Sequence, residues 1–175
     1  DGKAFLKATA AGKAVLQASG GCTCHTDVEN AGAPLAGGRP MQTPFGVFYS
    51  TNITPDPETG IGRWSDADFV RAMREGRAPD GSAYFPTFPY TSFTGMTDAD
   101  VLDLKAYLFS LAPVRQQNRP HDAWPPFGWR ISAWAWQWMF FEPARFEPDP
   151  ARSASWNRGA YLSNAVAHCG ECHTP

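Results

Sequence analysis

Apolar residues recur at helical spacing in several short segments of this chain, and glycine- and proline-rich segments separate them. The clearest helix is predicted after a Thr-Asp-Ala-Asp start at residue 97, and Pro113 marks its end. Its apolar stripe consists of Val101, Leu104, Leu108 and Leu111. A second helix is predicted over 65–76, where a similar start precedes an apolar face that includes Met73. Shorter helices are predicted over 12–20, 131–141 and 158–165.

Residues 30–62 and 77–96 are predicted to be loops, because Gly, Pro, Asn and Thr interrupt any periodic pattern there. The chain holds 16 glycines and 16 prolines among 175 residues. The predicted fold class is therefore all-α, with short helices and long loops. Aromatic residues make up 14% of the chain and include seven tryptophans, which suggests a fold that wraps a large flat cofactor.

Charge and hydropathy exclude some classes of protein. The formal net charge of −2 argues against a general nucleic-acid binder. No segment reaches the roughly 18 consecutive apolar residues of a transmembrane helix. The chain begins with Asp1 rather than Met, which fits a processed protein, so the lack of a signal peptide leaves the compartment open.

An internal repeat divides the chain. Gly12 lies ten residues before Cys22, Gly159 lies ten before Cys169, and both copies contain Cys-His-Thr. The second copy stops just after this motif. We therefore predict a first domain over 1–113, a Pro- and Trp-rich connector over 114–155, and the incomplete start of a second unit over 156–175.

The second copy carries the complete motif Cys169-Gly170-Glu171-Cys172-His173, a C-x-x-C-H, which is typical of covalent haem c (heme c) attachment. Two thiols three residues apart on a helical turn face the same side and can form thioethers with the two vinyl groups of one porphyrin. The imidazole that follows then reaches the iron as proximal ligand. A zinc site, a redox dithiol or a structural disulfide shares the C-x-x-C spacing and remains an alternative.

The first copy, Cys22-Thr23-Cys24-His25, is one residue shorter. Thiols two positions apart on a helix point about 200° apart, so both reach one porphyrin only where the turn is locally unwound. Three interpretations remain open: a haem with two strained thioethers, a haem bound through Cys24 alone, or a sequence from which one residue has been lost. His25 is the predicted proximal ligand in each.

A six-coordinate haem needs a distal ligand, and methionine sulfur is one that raises the reduction potential. Of the four methionines, Met73 lies among the apolar positions of a helix, Met41 in a long loop and Met139 in the connector. Met96 ends an aromatic loop directly before the start of the helix at residue 97. A ligand held beside a rigid helix start is well placed, so Met96 is the candidate, with packing as the alternative.

Nearly the whole chain resembles the multi-haem cytochrome c subunits of bacterial membrane-bound alcohol, gluconate and sorbitol dehydrogenases, and their di-haem relatives. The similar stretches are GGRPMQTPFGVFYSTNITPDPETGIGRWSDADFVRAMREG, FPYTSFTGMTDADVLDLKAYLFSL, NRP and RGAYLSNAVAHCGECHTP. The resemblance implies a cytochrome c-like fold and Met96 as distal ligand of the first haem. It also implies that Asn52 and Ile53 line that haem and that Trp64 and Arg39 lie near its edge; ordinary loop packing is the alternative for Trp64 and Arg39.

The resemblance implies that the methionine of the second haem lies downstream of Pro175. Within this sequence the remaining candidates are His121, His168 and Met139, and for His121 a role as an ordinary loop histidine is the main alternative. The connector also concentrates five tryptophans between residues 124 and 138. They predict either a surface that docks on a membrane or a dehydrogenase, or an apolar wedge between the two haem units.

These observations predict an electron-transfer protein with two haem c groups and no catalytic activity of its own. It would pass single electrons from a dehydrogenase to an oxidase or a quinone-linked acceptor, in the periplasm, with association to a membrane surface. One alternative is a haem enzyme, peroxidase-like or sulfur-oxidising, that uses an open haem position. The other is a zinc module built from the six Cys and His residues of the two motifs.

Overall fold

The computed structural model describes residues 2–173, apart from the side chain of Cys172. Seven α-helices and one small sheet form the described part, and 3₁₀ turns at Gly20–His25 and Val28–Asn30 and a π-helical turn at Leu162–Val166 complete it. The helices are α1 (Gly2–Ala18), α2 (Asp66–Glu75), α3 (Tyr90–Phe93), α4 (Asp98–Phe109), α5 (Arg130–Phe140), α6 (Ala154–Tyr161) and α7 (Gly170–His173). The predicted all-α class with short helices is confirmed.

Helix α2 begins where the sequence predicts it. The Ser65 hydroxyl accepts from the Asp68 amide at 3.1 Å, and the Asp68 carboxylate accepts from the Ser65 amide at 3.1 Å, which is a full capping box. The helix ends at Gly76, whose φ of 59° is left-handed and favours glycine. Phe69 and Met73 on its inner face are buried, so the prediction that Met73 is a core residue is confirmed.

Helix α4 is capped by the Thr97 hydroxyl, which accepts from the Asp100 amide at 3.1 Å. Its predicted stripe is buried at Val101, Leu104 and Leu108. The helix ends at Phe109, four residues before the proline that marked its predicted end, and the intervening residues form a turn that the apolar pattern alone does not reveal.

Three local predictions are wrong. Helix α1 starts at Gly2 rather than at residue 12, because its exposed first half is rich in good helix formers without an apolar stripe. The predicted loop over 30–62 contains an antiparallel hairpin of β1 (Pro40–Thr43) and β2 (Gly46–Tyr49), which pairs with β3 (Asp122–Ala123). The loop over 77–96 contains the short α3. Strands of four residues flanked by Gly and Pro are too short for a periodic signal.

One hydrophobic core joins the first domain to the start of the second unit. It contains Val15 and Leu16 of α1, the buried faces of α2 and α4, Met96, and Tyr161, Ala165 and Val166 from the α6–π segment. We call this cluster the main core. Helices α1 and α4 cross closely, since a Cβ added at Gly12 would lie 1.8 Å from the Asp103 carbonyl oxygen. The boundaries at 113 and 155 remain predictions, and residues 174–175 lie outside the described part.

Helix α5 packs through few residues. Its Ala133 joins a second cluster with Phe48, Ala83 and Phe85, and the Gln137 amide donates to the Gly76 carbonyl at 3.0 Å. A set of large side chains around this helix is exposed: Trp124, Phe127, Trp129, Ile131, Trp134, Trp138, Met139 and Phe140. We call this set the aromatic face. Both interpretations of this segment, as a docking surface and as a wedge between two haem units, stay predictions.

Within residues 2–173, the structure contains no helix with the length and apolar content that crossing a membrane requires.

Candidate haem sites

The backbone of the first motif is unwound at its first cysteine. Gly20, Gly21 and Cys22 have φ angles of 79°, 71° and 51°, all in the left-handed region. The 3₁₀ turn Gly20–His25 therefore contains a kink at Gly21 and Cys22. A cysteine adopts this conformation at a cost of about 1 kcal/mol or more. This is the local unwinding that two thiols spaced by one residue require to face one porphyrin.

The two thiols of the first motif have different surroundings. Cys22 is half-buried against the main core, with its Sγ 3.9 Å from the Ser19 hydroxyl. Burial raises the pKa of the Cys22 thiol, the Ser19 contact lowers it, and the nearby Cys24 thiol raises it further. Cys24 is exposed. Neither sulfur is part of a disulfide, so both cysteines could form thioethers.

His25 is oriented as a metal-binding imidazole. Its Nδ1 lies 2.7 Å from the Thr51 carbonyl oxygen, and because a carbonyl only accepts, Nδ1 carries the proton. Nε2 then keeps its lone pair for a metal, which is the usual arrangement of a ligating histidine and its backbone partner. Burial lowers the pKa of His25, and the hydrogen bond to Thr51 partly opposes this, so the neutral form is favoured.

Neighbouring loops brace the first motif. The Arg39 guanidinium donates to the carbonyl oxygen of Thr23, between the two cysteines, at 3.3 Å. The Gly37 amide donates to the His25 carbonyl at 2.7 Å. Arg39 thus contacts the motif, and its predicted place at the haem edge stays a prediction.

Met96 is 1% exposed and lies in the main core, against which Cys22 also packs. Its carbonyl oxygen accepts from Arg74 Nη2 at 2.7 Å and from Arg145 Nη1 at 3.0 Å. The Met96 side chain and the first motif therefore border the same apolar region. Its role as distal ligand remains a prediction.

The three other residues expected near the first haem occupy two environments. Ile53 and Trp64 are half-buried against the main core, beside the residues already described. Asn52 is buried, and its side-chain amide is used within the protein: it donates to the Val114 carbonyl at 2.7 Å and to Thr59 Oγ1 at 3.1 Å, and accepts from Thr54. The Asn52 amide therefore braces the loop.

The second motif lies on α7. Cys169 and His173 are exposed, and the predicted thioether at Cys172 lies outside the described residues. The Glu171 carboxylate, between the two cysteines, accepts from Thr91 Oγ1 at 2.8 Å and from Ser92 Oγ at 2.9 Å. The second motif is therefore bound to α3, the helix that leads into Met96.

The other candidate ligands of a second haem lie in different surroundings. His121 Nδ1 accepts from the Tyr49 amide at 3.2 Å, and the His121 ring contacts the rings of Phe48 and Phe85, with centroids 5.0 and 5.4 Å away. It therefore fits an ordinary packed histidine. His168 packs edge-on against Phe93 with ring centroids 5.5 Å apart. Met139 belongs to the exposed aromatic face.

The first site fits haem c better than zinc. The donor set comprises two thiols, one imidazole with a free Nε2, and a buried thioether, which match the attachment and axial ligands of a c-type haem. Among the described residues, no three His, Cys, Asp or Glu side chains are grouped as a metal ion would need.

Sequence reasoning missed the groups that hold the Met96 loop. Arg74 is buried on the core side of α2, and its Nη1 also donates to the Thr94 carbonyl at 3.2 Å. A basic residue among the apolar positions of an amphipathic helix is a signal that could have identified it. Arg145 and Tyr161 lie far along the chain from Met96, and no local pattern indicates their contacts.

Comparison with known proteins gives consistent relatives. The chain is 52% identical over 161 residues to one subunit of the nicotinate dehydrogenase of Pseudomonas putida, covering 91% of this chain and 13% of that protein. It is 41% identical over 168 residues to a diheme cytochrome c-type protein of Cereibacter sphaeroides, covering 94% and 56%. It is 41% identical over 163 residues to the gluconate 2-dehydrogenase cytochrome c subunit of Pantoea cypripedii, covering 91% and 36%.

The chain therefore spans little more than half of the diheme cytochrome and a smaller part of the other two relatives. No protein-family model matches it. The resemblance to di-haem and dehydrogenase-linked cytochromes c that the sequence motifs indicate is confirmed.

Proposed function

We propose that this chain, which is homologous over most of its length to cytochrome c subunits of bacterial dehydrogenases, is the electron-transfer part of a c-type cytochrome that carries two haem c groups. The observation that carries the proposal is the first site, where the Thr51 carbonyl orients the His25 ring next to Cys24 in the chain, and where Cys22 packs against the core that contains the buried Met96. The names of the relatives support haem c as the cofactor and a dehydrogenase as the electron donor.

Each haem would be held by one of the two motifs. Cys24, with Cys22, would form the thioethers of the first haem, and His25 and Met96 would be its axial ligands. Cys169 and Cys172 would attach the second haem, with His173 as proximal ligand. When bound, the iron of each haem supplies the one-electron redox chemistry.

The chain's own residues fix the ligands and exclude water. The Thr51 carbonyl holds the proton on His25 Nδ1 and so fixes the orientation of the ring. The burial of Met96 keeps water away from the sulfur that would bind the iron. Ligands held by a packed core move little when the charge of the iron changes, and this favours rapid outer-sphere electron transfer. We propose electron transfer as the function of this chain and no catalytic step.

Partners and compartment follow from the chemistry and the relatives. Covalent haem attachment occurs outside the cytoplasm, so we place the protein in the periplasm. The donor would be a dehydrogenase, since one relative is named as the cytochrome c subunit of a gluconate 2-dehydrogenase, and the acceptor would be an oxidase or a quinone-linked protein. The aromatic face is the surface for an association with a membrane or a partner protein.

The test is the intact mass of the matured protein beside its reduced absorption spectrum. We expect two covalent haems, of which one is lost in a C22A/C24A variant and the other in a C169A/C172A variant. A chain matured with no covalent haem at either motif would overturn the proposal. Sustained peroxide turnover with a high-spin ferric spectrum would support the haem-enzyme alternative instead.

A further inference from the structure

Residues from outside the predicted first domain hold the backbone around Met96, two through side chains and one through its backbone amide. The Gly95 carbonyl accepts from the Phe146 amide at 3.2 Å, and the Met96 carbonyl accepts from Arg145 Nη1 at 3.0 Å. The Thr97 amide donates to the Tyr161 hydroxyl at 3.1 Å. Three successive residues of the loop are therefore bonded to the connector or to α6.

We propose that Arg145, Phe146 and Tyr161 form a clamp whose function is to keep the Met96 sulfur on the iron of the first haem. This inference rests on the proposed function, because it takes Met96 as the distal ligand. The three are positioning residues, since they act on the iron through the backbone of the Met96 loop. The connector would then tune the first haem as well as joining two units.

Ion pairs with Asp98 strengthen the clamp. The Asp98 carboxylate lies 2.7 Å from Arg74 Nη2 and 3.3 Å from Arg145 Nη2. Arg74, whose side chain is 8% exposed, comes from α2 within the first domain, and Arg145, which is half exposed, comes from the connector. Asp98 therefore forms ion pairs with both arginines that donate to the Met96 carbonyl, one from the first domain and one from the connector. Hydrogen bonds from charged donors are stronger than those from neutral donors.

Side-chain packing provides the remaining contacts of the clamp. The rings of Phe146 and Tyr161 lie 5.6 Å apart. Tyr161 belongs to the main core, and Phe146 packs against that core. A Cβ added at Gly95 would lie 3.0 Å from the Ala165 Cβ, so the loop has little room to move towards the π-helical turn Leu162–Val166. A shift of the loop that would carry Met96 off the iron must break these contacts.

The effect of the clamp can be separated from general stabilisation of the fold, because the Met96 carbonyl still accepts from Arg74 when Arg145 is removed. We expect the fold of an Arg145 variant to survive, while the Met96 loop opens more often. Loss of one charge-assisted hydrogen bond corresponds to roughly a tenfold change in such an equilibrium. An external ligand that competes with Met96 should gain apparent affinity by the same factor.

The experiment measures imidazole binding to the ferric holoprotein and the charge-transfer band of methionine-ligated ferric haem. Met96→Leu marks complete loss of the ligand at the first haem. We expect Arg145→Ala to strengthen Met96-dependent imidazole binding by roughly tenfold and to weaken the band, with partial rescue by Arg145→Lys. Arg152→Ala is the matched control, because Arg152 lies in the same connector, is similarly exposed and contacts Asp149 and Trp156 instead.

If Arg145→Ala does not mature into a holoprotein, a second variant tests the same clamp. Tyr161→Phe keeps the ring and removes the hydroxyl that accepts from Thr97, and we expect a smaller change in the same direction. If Met96→Leu alters the band while Arg145→Ala and Tyr161→Phe match Arg152→Ala, the clamp is wrong and the ligand assignment stands. If Met96→Leu alters neither the band nor imidazole binding, both the ligand assignment and the clamp are wrong.

Discussion

The Ser92 hydroxyl donates a hydrogen bond of 2.9 Å to the Glu171 carboxylate. The bond links α3 to α7, and therefore links the segment that ends in Met96 to the segment that carries the second Cys-x-x-Cys-His motif. Thr91 adds a second bond to the same carboxylate oxygen at 2.8 Å. Two side-chain hydrogen bonds and the few residues between Ser92 and Met96 thus connect the second motif to the candidate distal ligand of the first haem.

Glu171→Ala should loosen the second motif locally. Both hydroxyls lose their acceptor, so we expect faster hydrogen exchange at the amides of residues 169–173. Because both hydrogen bonds are exposed to solvent, the free energy of unfolding of the whole protein should fall by less than about 1 kcal/mol. The double variant Thr91→Ala/Ser92→Ala should reproduce the effect by removing the donors, and unchanged exchange in both proteins would contradict the link.

Gly12 and Gly159 occupy equivalent places in the repeat but differ in their surroundings. A Cβ at Gly12 would lie 1.8 Å from the Asp103 carbonyl oxygen of α4, whereas no heavy atom of the described residues lies within 4 Å of a Cβ at Gly159. Gly12→Ala should therefore destabilise the protein by at least about 2 kcal/mol through overpacking. Gly159→Ala should stabilise α6 by about 0.5–1 kcal/mol. Urea unfolding of the two variants checks the contrast, and equal effects would contradict it.

Asn52→Ala should destabilise the loop that runs past the first site. The side-chain amide of Asn52 donates to the Val114 carbonyl and accepts from Thr54, and alanine would leave these buried groups without their partner. We expect a loss of about 2–3 kcal/mol in the free energy of unfolding. Asn118→Ala removes the acceptor of the Asn52 backbone amide. It should lower the free energy of unfolding by less, because the Asn118 side chain lies nearer the surface. Thermal unfolding of the holoprotein distinguishes the two.

Asp56 should make stability depend on pH in the acid range. Hydrogen bonds from the Thr59 amide at 2.7 Å and hydroxyl at 2.8 Å, and from the Glu58 amide, lower the pKa of the Asp56 carboxyl. Because the folded state favours the charged form, this contribution is complete above the ordinary pKa and is lost as the pH falls below about 4 through the folded pKa.

Asp56→Asn tests this contribution. The variant should be less stable than the parent at pH 7, and the difference should be smaller at an acid pH that lies below the lowered pKa of the parent carboxyl. Urea midpoints at the two pH values measure it. Glu29→Gln, at an exposed carboxylate, should show no such change, and a difference for Asp56→Asn that is the same at both pH values would contradict the assignment.

Much of the fold is predictable because its signals are local. The capping sequences at Ser65 and Thr97 mark the starts of α2 and α4, and the apolar stripe of α4 is buried as expected. The hairpin over residues 40–49 is not predictable in the same way, since its strands are four residues long and its third strand comes from residues 122–123. Such pairing depends on distant parts of the chain.

The candidate site likewise contains parts that local sequence signals predict and parts that depend on distant segments. The motif spacing identifies the cysteines and His25, and the position of Met96 before a helix identifies a distal candidate. The Thr51 carbonyl on His25 and the guanidinium of Arg145 on Met96 come from segments 26 and 49 residues away. Two thioethers at the first motif would require a locally unwound turn; the sequence does not reveal such a turn, and the structure has a left-handed backbone at Cys22.

The exposed tryptophans of the aromatic face can report binding at this face through their own fluorescence. Trp138 is 86% exposed and Trp124 is 67% exposed, so their indole rings contact water on the free protein. Indole emission shifts to shorter wavelength when water is replaced by an apolar surface. Titration with lipid vesicles or with a purified dehydrogenase would therefore register coverage of this face without any added dye, and Trp138→Phe would identify the ring responsible.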